Sequence, residues 1–404
     1  MTIDSPSATS AWVGHPRGSS DYRRLLAALF CAGIATFAQL YSAQAVLPQI
    51  AADLGVGAAD AALTVSAATI GLALGVIPWS VLADRIGRVR AMSISVVGAT
   101  AIGLITPFAP TFQLLLAGRL LEGLLVGGVP AIAVAYLIEE IDPGHAARAA
   151  GTFVGGTTIG GLLGRIVAGP VAELAGWRVG VFTVAALCAL AALGFVRLAP
   201  QPRGFTPAGR RGAPGLRHRL AANLRSPRQM ALFAQGFLLM GGFVALYNFL
   251  GFRLAAPPFS LPQALVSLVF MAYLAGTWAS ARAGAEATRL GRKRVLLAST
   301  AVMIIGVAIT LSHNVVAVLA GLVIATAGFF GAHAIASGWT GRMAPAGKAQ
   351  ASSLYNLFYY GGSSVVGWFG GLAFDAFGWI GVSTTILVLA TAAAAIALVA
   401  LPRD

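Results

Sequence analysis

Charge is scarce in this chain, and acid is scarcer still. Asp, Glu, Lys and Arg make up 10% of the 404 residues, and only 13 residues are acidic. Soluble domains carry roughly 25% charged residues, so this chain cannot cover itself with a water-facing surface, and a single soluble enzyme is excluded. Cysteine is nearly absent. The two present, Cys31 and Cys188, lie inside apolar runs at a spacing that fits neither a metal site nor a disulfide framework, and they read as small packing residues. The chain has no Gly-x-x-x-x-Gly-Lys-Ser/Thr loop, so no ATP-driven step is implied. It also offers no Ser/His/Asp grouping and no cluster with metal-ligand spacing, which leaves a membrane-embedded enzyme without support.

What the chain has is apolar length. Hydrophobic residues make up 58% and the mean hydropathy is +0.82. One spanning helix needs about 20 apolar residues, and the sequence supplies twelve such segments, near 25–49, 61–83, 91–109, 112–138, 149–172, 178–199, 229–252, 262–282, 294–312, 314–340, 350–373 and 379–401. A net charge of +14 would suit nucleic acid only if the basic residues formed one patch. They fall instead into short clusters in the N-terminal tail and in alternate loops: 23 lie on one side, and only Arg178 and Arg253 on the other. The positive-inside rule then places both termini of a multi-pass membrane protein in the cytoplasm. A cleaved leader at Arg23–Ala45 would leave eleven spans and reverse this bias, so the first apolar run is read as a span.

The stretch rich in Pro, Gly and Arg between Pro200 and Pro227 divides the chain into near-equal halves and reads as a basic linker facing acidic lipid headgroups. The expected organisation is a tail at 1–24, a six-helix bundle at 25–199, a linker at 200–228 and a second six-helix bundle at 229–404. The halves repeat each other. Asp84-Arg85-Ile86-Gly87-Arg88 recurs as Thr288-Arg289-Leu290-Gly291-Arg292; Ala168 to Trp177 lines up with Gly370 to Trp379; Phe37 and Tyr41 align with Phe243 and Tyr247. One offset near 204 implies two bundles of like topology related by an axis along the membrane normal. Two such bundles enclose a cavity that rocking exposes to alternate sides.

The residues from Ser80 to Arg90, Arg119 to Gly123, Thr158 to Arg165, Gly236 to Phe243, Thr326 to His333 and Gln350 to Tyr355 carry a resemblance to the major facilitator superfamily along essentially the whole chain. Within it they are similar to the acriflavine-sensitivity branch of bacterial drug/proton antiporter-like exporters. The resemblance implies an all-α membrane protein with twelve transmembrane helices in two six-helix bundles. It also implies that the loop of Asp84, Arg85, Gly87 and Arg88 is a conformational latch, with the Asp approaching the helix-11 N-terminus near Ala349 to Ser352. The family pattern has Gly at Ser80, and the second copy carries Thr288 in place of Asp.

Glu122 is the one carboxylate deep in a predicted span, and intramembrane ionisable residues are functional candidates. Arg119 lies one turn away, and Arg165 on helix 5 falls at similar depth. A low dielectric favours a neutral acid while guanidinium groups favour the carboxylate, so these three residues are the expected proton-coupling group; a static buried ion pair joining helices 4 and 5 is the alternative. Gly156, Gly160, Gly161, Gly164, Gly169 and Pro170 crowd helix 5 and permit close helix approach. This stretch resembles the antiporter motif of exporters, except that Arg165 and Glu173-Leu174 stand where that motif has glycines.

Tyr41, Gln44, Tyr247, Asn248, His333, Tyr355, Asn356 and Tyr359, with Tyr360 nearby, form the candidate substrate cavity; the i,i+4 pairs Tyr355/Tyr359 and Asn356/Tyr360 place one pair toward the interior. Trp177, Trp368 and Trp379 read as interfacial anchors. The expected protein is a monomeric secondary transporter without cofactor, driven by the proton gradient, exporting small amphipathic drug- or dye-like molecules, and interacting with protons and membrane lipid but not nucleic acid. A neutral or anionic metabolite, exported or taken up, stays open: Arg119 and Arg165 against Glu122 leave the first half near +1. A transport-inactive sensor or scaffold on the same fold is the alternative of another class.

Overall fold

A computed structural model describes residues 12–205 and 216–402. Within the described residues the chain is helical throughout, without a β-sheet. The spans are α1 (Ser20–Leu54), α2 (Ala58–Ile86), α3 (Arg88–Phe108), α4 (Phe112–Glu140), α5 (Ala149–Ala175), α6 (Trp177–Leu198), α7 (Pro227–Ala255), α8 (Gln263–Leu290), α9 (Arg292–Ile309), α10 (Val315–Arg342) and, within Lys348–Ala400, α11 (348–377) and α12 (379–400). The last two are separate because the backbone leaves helical geometry at Gly378. The face with the start of α1, the linker and the end of α12 is called the terminal face below; the opposite one is the distal face.

The repeat is visible in the backbone. Gly87 and Gly291 reverse the chain at the terminal face with φ of 93° and 86°, and Gly176 and Gly378 do so at the distal face with φ of 85° and 61°. These are left-handed conformations open to glycine and costly to residues bearing a Cβ. Inside each bundle glycine also lets backbones touch. A Cβ on Gly156, Gly160 or Gly164 of α5 would run into α1 at Phe30, Ile34 or Ala38. Large apolar side chains point outward, as on Leu174 and Val399, each 89% exposed; in a bilayer that surface is solvated by acyl chains, so apolar exposure costs nothing there.

Two helices are interrupted at mid-course. α1 passes through a 3₁₀ segment at Ser42–Val46, and α8 through another at Leu268–Ala272. Such stretches often mark hinges or strained functional positions.

The basic linker expected at 200–228 is in part a helix, Leu216–Leu224; its residues 206–215, like Arg403 and the first eleven residues of the tail, lie outside the described residues. Its start is pinned to α4, where Glu140 accepts from the backbone N–H groups of Arg203 and Gly204 at 2.7 Å each. Its helix rests on α11, with Asn223 Nδ2 donating to Ala346 O at 2.6 Å and Leu220 reaching the groove between α2 and α11. Two of the three tryptophans expected at headgroup level are buried instead. The indole N–H of Trp177 donates to Asp53 Oδ2 at 3.0 Å and that of Trp379 to Thr310 O at 3.2 Å, because a partner inside the protein satisfies the ring nitrogen. Cys31 and Cys188 are free thiols.

Candidate functional site

Arg119 and Glu122 are three residues apart on α4 and therefore share a face. Glu122 is ten residues in from Phe112, about 15 Å from the distal end of the helix at 1.5 Å per residue. Both side chains are buried. Arg119 Nη1 donates to Glu122 Oε2 at 2.5 Å and to Gln39 O at 3.2 Å; Nη2 donates to Leu40 O at 2.6 Å, and Nε to Thr64 O at 3.1 Å. The pair thus fastens α4 to α1 and α2, not α4 to α5. Gln39 completes the pocket: its Nε2 donates to Ala99 O on α3 at 2.5 Å. Gly103 of α3 leaves the space that makes this possible, for a Cβ there would collide with Gln39 and lie 2.9 Å from Glu122 Oε1.

Arg165 does not join this pair. Ten residues short of Ala175, it lies at the same depth but turns to the interface between bundles. Its Nη1 donates to Gly161 O at 2.6 Å, Nε to Gln44 Oε1 at 2.8 Å and Nη2 to the Tyr273 hydroxyl at 3.3 Å. The guanidinium carbon lies 4.2 Å from the Tyr41 ring centre, 4.8 Å from that of Tyr273 and 4.9 Å from that of Phe270. A desolvated cation–π contact contributes about 2 kcal/mol, so three rings offset much of the burial penalty without a counter-charge. The two 3₁₀ segments bring this group together, supplying Gln44 from α1 and Phe270 from α8.

Gln44 in turn donates through Nε2 to Asn248 Oδ1 at 2.7 Å. This bond joins the two bundles at the depth of Arg165.

From Arg165 an aromatic seam runs through the second bundle. Tyr273 packs on Tyr247, whose hydroxyl bonds Thr326 Oγ1 at 2.7 Å. Phe243 and Phe329 stack at 3.9 Å, Phe329 stacks on His333, and His333 Nδ1 bonds the Tyr355 hydroxyl at 3.0 Å with the Tyr359 ring 4.7 Å away. Tyr355 and Tyr359 are thus the i,i+4 pair that meets α10. Asn356 does not belong to the cavity as expected: rotated 100° from Tyr355 about the helix axis, it is exposed in the groove between α2 and α11 beside Ala73, Leu220 and Tyr360.

The loop expected to latch onto helix 11 is engaged within its own bundle. Asp84 Oδ1 accepts from Arg88 Nη1 at 2.6 Å, and Arg88 also binds Glu139 at the end of α4, its Nη2 2.8 Å from Oε1. Arg85 is exposed. Among the described residues no bond joins Asp84 to the start of α11, where Gly347 lies against the Arg219 and Gln350 side chains. The physical reason is at the other end of the molecule, where the bundles are fastened. There Asp375 of α11 accepts from the N–H groups of Ala58 at 3.1 Å and Ala59 at 3.2 Å, capping α2, and Glu173 of α5 accepts from the N–H of Ala264 at 2.7 Å, at the start of α8. Four residues before each carboxylate a glycine, Gly371 or Gly169, abuts the partner helix at Ala59 or Ser267. Carboxylates at helix N-termini are favourable because of the free N–H groups and the dipole. Ser364 adds a bond of 2.8 Å to Thr69 nearer mid-depth.

Of the residues in these clusters, Gln39, Gly103, Glu139, Tyr273, Phe270 and Asp375 carry no mark in the sequence that assigns them there.

Comparison with known proteins places these features. The sequence pattern of the Major Facilitator Superfamily matches residues 28–285. The chain is 37% identical to the MFS-type transporter YybF of Bacillus subtilis over 91% of this chain and 90% of the relative. It is 38% identical to the inner membrane transport protein YnfM of Escherichia coli over 92% and 89%. The crystal structure of a bacterial homolog of the human lysosomal transporter Spinster, inward-facing and occupied, superposes with a TM-score of 0.77 at 17% identity, covering 95% of this chain and 97% of that one.

Proposed function

The chain belongs to the Major Facilitator Superfamily, and on that premise we propose that it is a proton-coupled carrier exporting small amphipathic molecules across a bacterial inner membrane by alternating access. The observation that carries this reading is the buried Arg119–Glu122 pair. Its carboxylate sits at mid-depth in the first bundle against Gln39 of α1 and Gly103 of α3, and the coupling requires these helices to shift against α4 as the bundles rock. Closed in around Gln39 and Gly103, Glu122 is paired with a guanidinium 2.5 Å away; drawn from Arg119 while still shielded from water it takes a proton, and wetted it gives the proton up, because a low dielectric favours the neutral acid and water the carboxylate. Each cycle then binds a proton in one orientation and releases it in the other, and substrate moves the opposite way.

Orientation follows from charge: the 23 basic residues that the sequence places in the tail and alternate loops lie in the cytoplasm, so the clasps of Asp375 and Glu173 close the outer side. The Tyr41, Tyr247, Tyr355 and Tyr359 region supplies flat apolar area with a few hydroxyls, which suits amphipathic solutes. One chain holds both bundles and works as a monomer, with no cofactor.

Reconstituted protein tested against a compound panel under an imposed pH gradient checks the reading. Uphill movement that collapses with the gradient is expected. In Glu122→Gln, gradient-driven transport is lost while substrate exchange at equal pH persists. Unchanged uphill transport and unchanged proton stoichiometry in that variant overturn the coupling role.

A further inference from the structure

We propose that Arg165 is the anchor for an organic anion, a small molecule bearing one carboxylate on a flat apolar body. The inference rests on the carrier reading above and narrows its substrate class.

The argument begins from charge. Arg119 has Glu122, but among the described residues Arg165 has no carboxylate within ion-pairing distance. An unpaired buried guanidinium is expensive at mid-membrane, and such a group persists where it faces a pathway or a ligand. Guanidinium carries five N–H donors; three are engaged here, and the longest contact, 3.3 Å to the Tyr273 hydroxyl, is the easiest to exchange.

The second observation is independent. Asn248 Nδ2 is buried with no hydrogen-bond partner. The amide orientations cannot be reversed to cure this. Arg165 only donates, so Gln44 must turn its oxygen to Nε and its nitrogen to Asn248, which must then present its own oxygen and leave its N–H₂ over. The chain Arg165–Gln44–Asn248 therefore has spare donors at both ends and no acceptor to meet them. It asks for acceptor atoms and a negative charge.

Location completes the case. Tyr41 and Gln44 of the first bundle stay with Arg165 through the cycle, whereas Phe270, Tyr273 and Asn248 belong to the second. Opening the outer half withdraws part of the aromatic cover and leaves the fork of the guanidinium facing the cavity. A carboxylate binds that fork through paired N–H donors, with its apolar body against Tyr41. A cation meets an uncompensated positive charge and is refused. The single net charge selects monoanions over dianions.

The test uses purified full-length protein in proteoliposomes with three sets of probes: benzoate and its ring-substituted homologues, their methyl esters, and the cationic dyes ethidium and acriflavine. The carboxylates are expected to be moved and to raise the thermal unfolding temperature, the esters and dyes to do neither. Arg165→Gln lowers carboxylate affinity about 10- to 100-fold, the loss expected of a charge-assisted bidentate bond. Arg165→Gln leaves the Gln44–Asn248 chain short of a donor and can misfold, so Asn248→Asp serves as the second variant: it puts an anion into the same network, balances Arg165 and folds at least as stably as the natural chain, yet loses carboxylate binding by a similar factor. Transport of the dyes or esters in preference to the carboxylates, or carboxylate binding unchanged in both variants, overturns the inference. Proton-driven transport of none of the three sets overturns both this inference and the carrier reading; dye transport that survives in Arg165→Gln and fails in Glu122→Gln overturns only this one.

Discussion

At the residue scale the two buried arginines differ in what they demand. Arg119 makes four bonds with a rigid fork, one of them ionic. A lysine offers a point charge with a flexible stem and cannot reproduce that pattern. Arg119→Gln strands Glu122 as a buried charge and destabilises by about 3–5 kcal/mol, whereas the double variant Arg119→Gln/Glu122→Gln is milder than Arg119→Gln alone. Denaturation of the three proteins in detergent checks this; a double variant less stable than Arg119→Gln contradicts the pairing. Gly103→Ala pushes a methyl against Gln39 and Glu122 and costs about 1–3 kcal/mol as overpacking, which a lower unfolding midpoint reports. The sequence shows Glu122 and Arg119 plainly because charge inside a twenty-residue apolar run is costly and therefore conspicuous. Gln39 and Gly103 are not conspicuous there, since an amide or a glycine in an apolar helix has many ordinary uses, and their role depends on how α1 and α3 pack. Arg165 is as visible as Arg119, but its neighbours Tyr273 and Phe270 are 108 and 105 positions away, and composition cannot choose between them and Glu122.

At the element scale the molecule is governed by helix ends. The Asp375 cap on α2 and the Glu173 cap at α8 are repeat-related devices, each preceded by a glycine contact. An acidic cap at an exposed helix start contributes about 0.3–1 kcal/mol. Removing both by Asp375→Asn and Glu173→Gln shifts the ratio of outer-closed to outer-open molecules by about 3- to 30-fold. Spin labels at positions 60 and 376 measure it, and an unaltered distance distribution rules the clasps out as determinants. The helices themselves are legible from apolar run length, and the repeat from the motifs 204 residues apart. The 3₁₀ passage in α1 has a mark in the sequence, since Pro48 lacks the N–H that would bond the Gln44 carbonyl and its ring crowds that carbonyl; the passage in α8 has none, because nothing in Leu268–Ala272 forbids a regular helix. The Asp84 loop shows the same limit, because its partner depends on which face of the molecule is closed.

At the scale of the whole molecule, twelve passes and alternate basic loops make one prediction about orientation. A green fluorescent protein fused after Asp404 is fluorescent, and alkaline phosphatase at the same position is inactive; the reverse pair of results inverts every assignment of inner and outer side. The pairing of Gln44 with Asn248 also has a meaning only at this scale, since neither bundle alone completes it. The linker helix Leu216–Leu224 is fixed to one lobe through Asn223 and Ala346 while Leu220 reaches into the seam shared with α2. It therefore sits like a doorstop carried on one leaf of a double door: for the terminal face to shut along α2 and α11, Leu220 must first leave the gap that it fills.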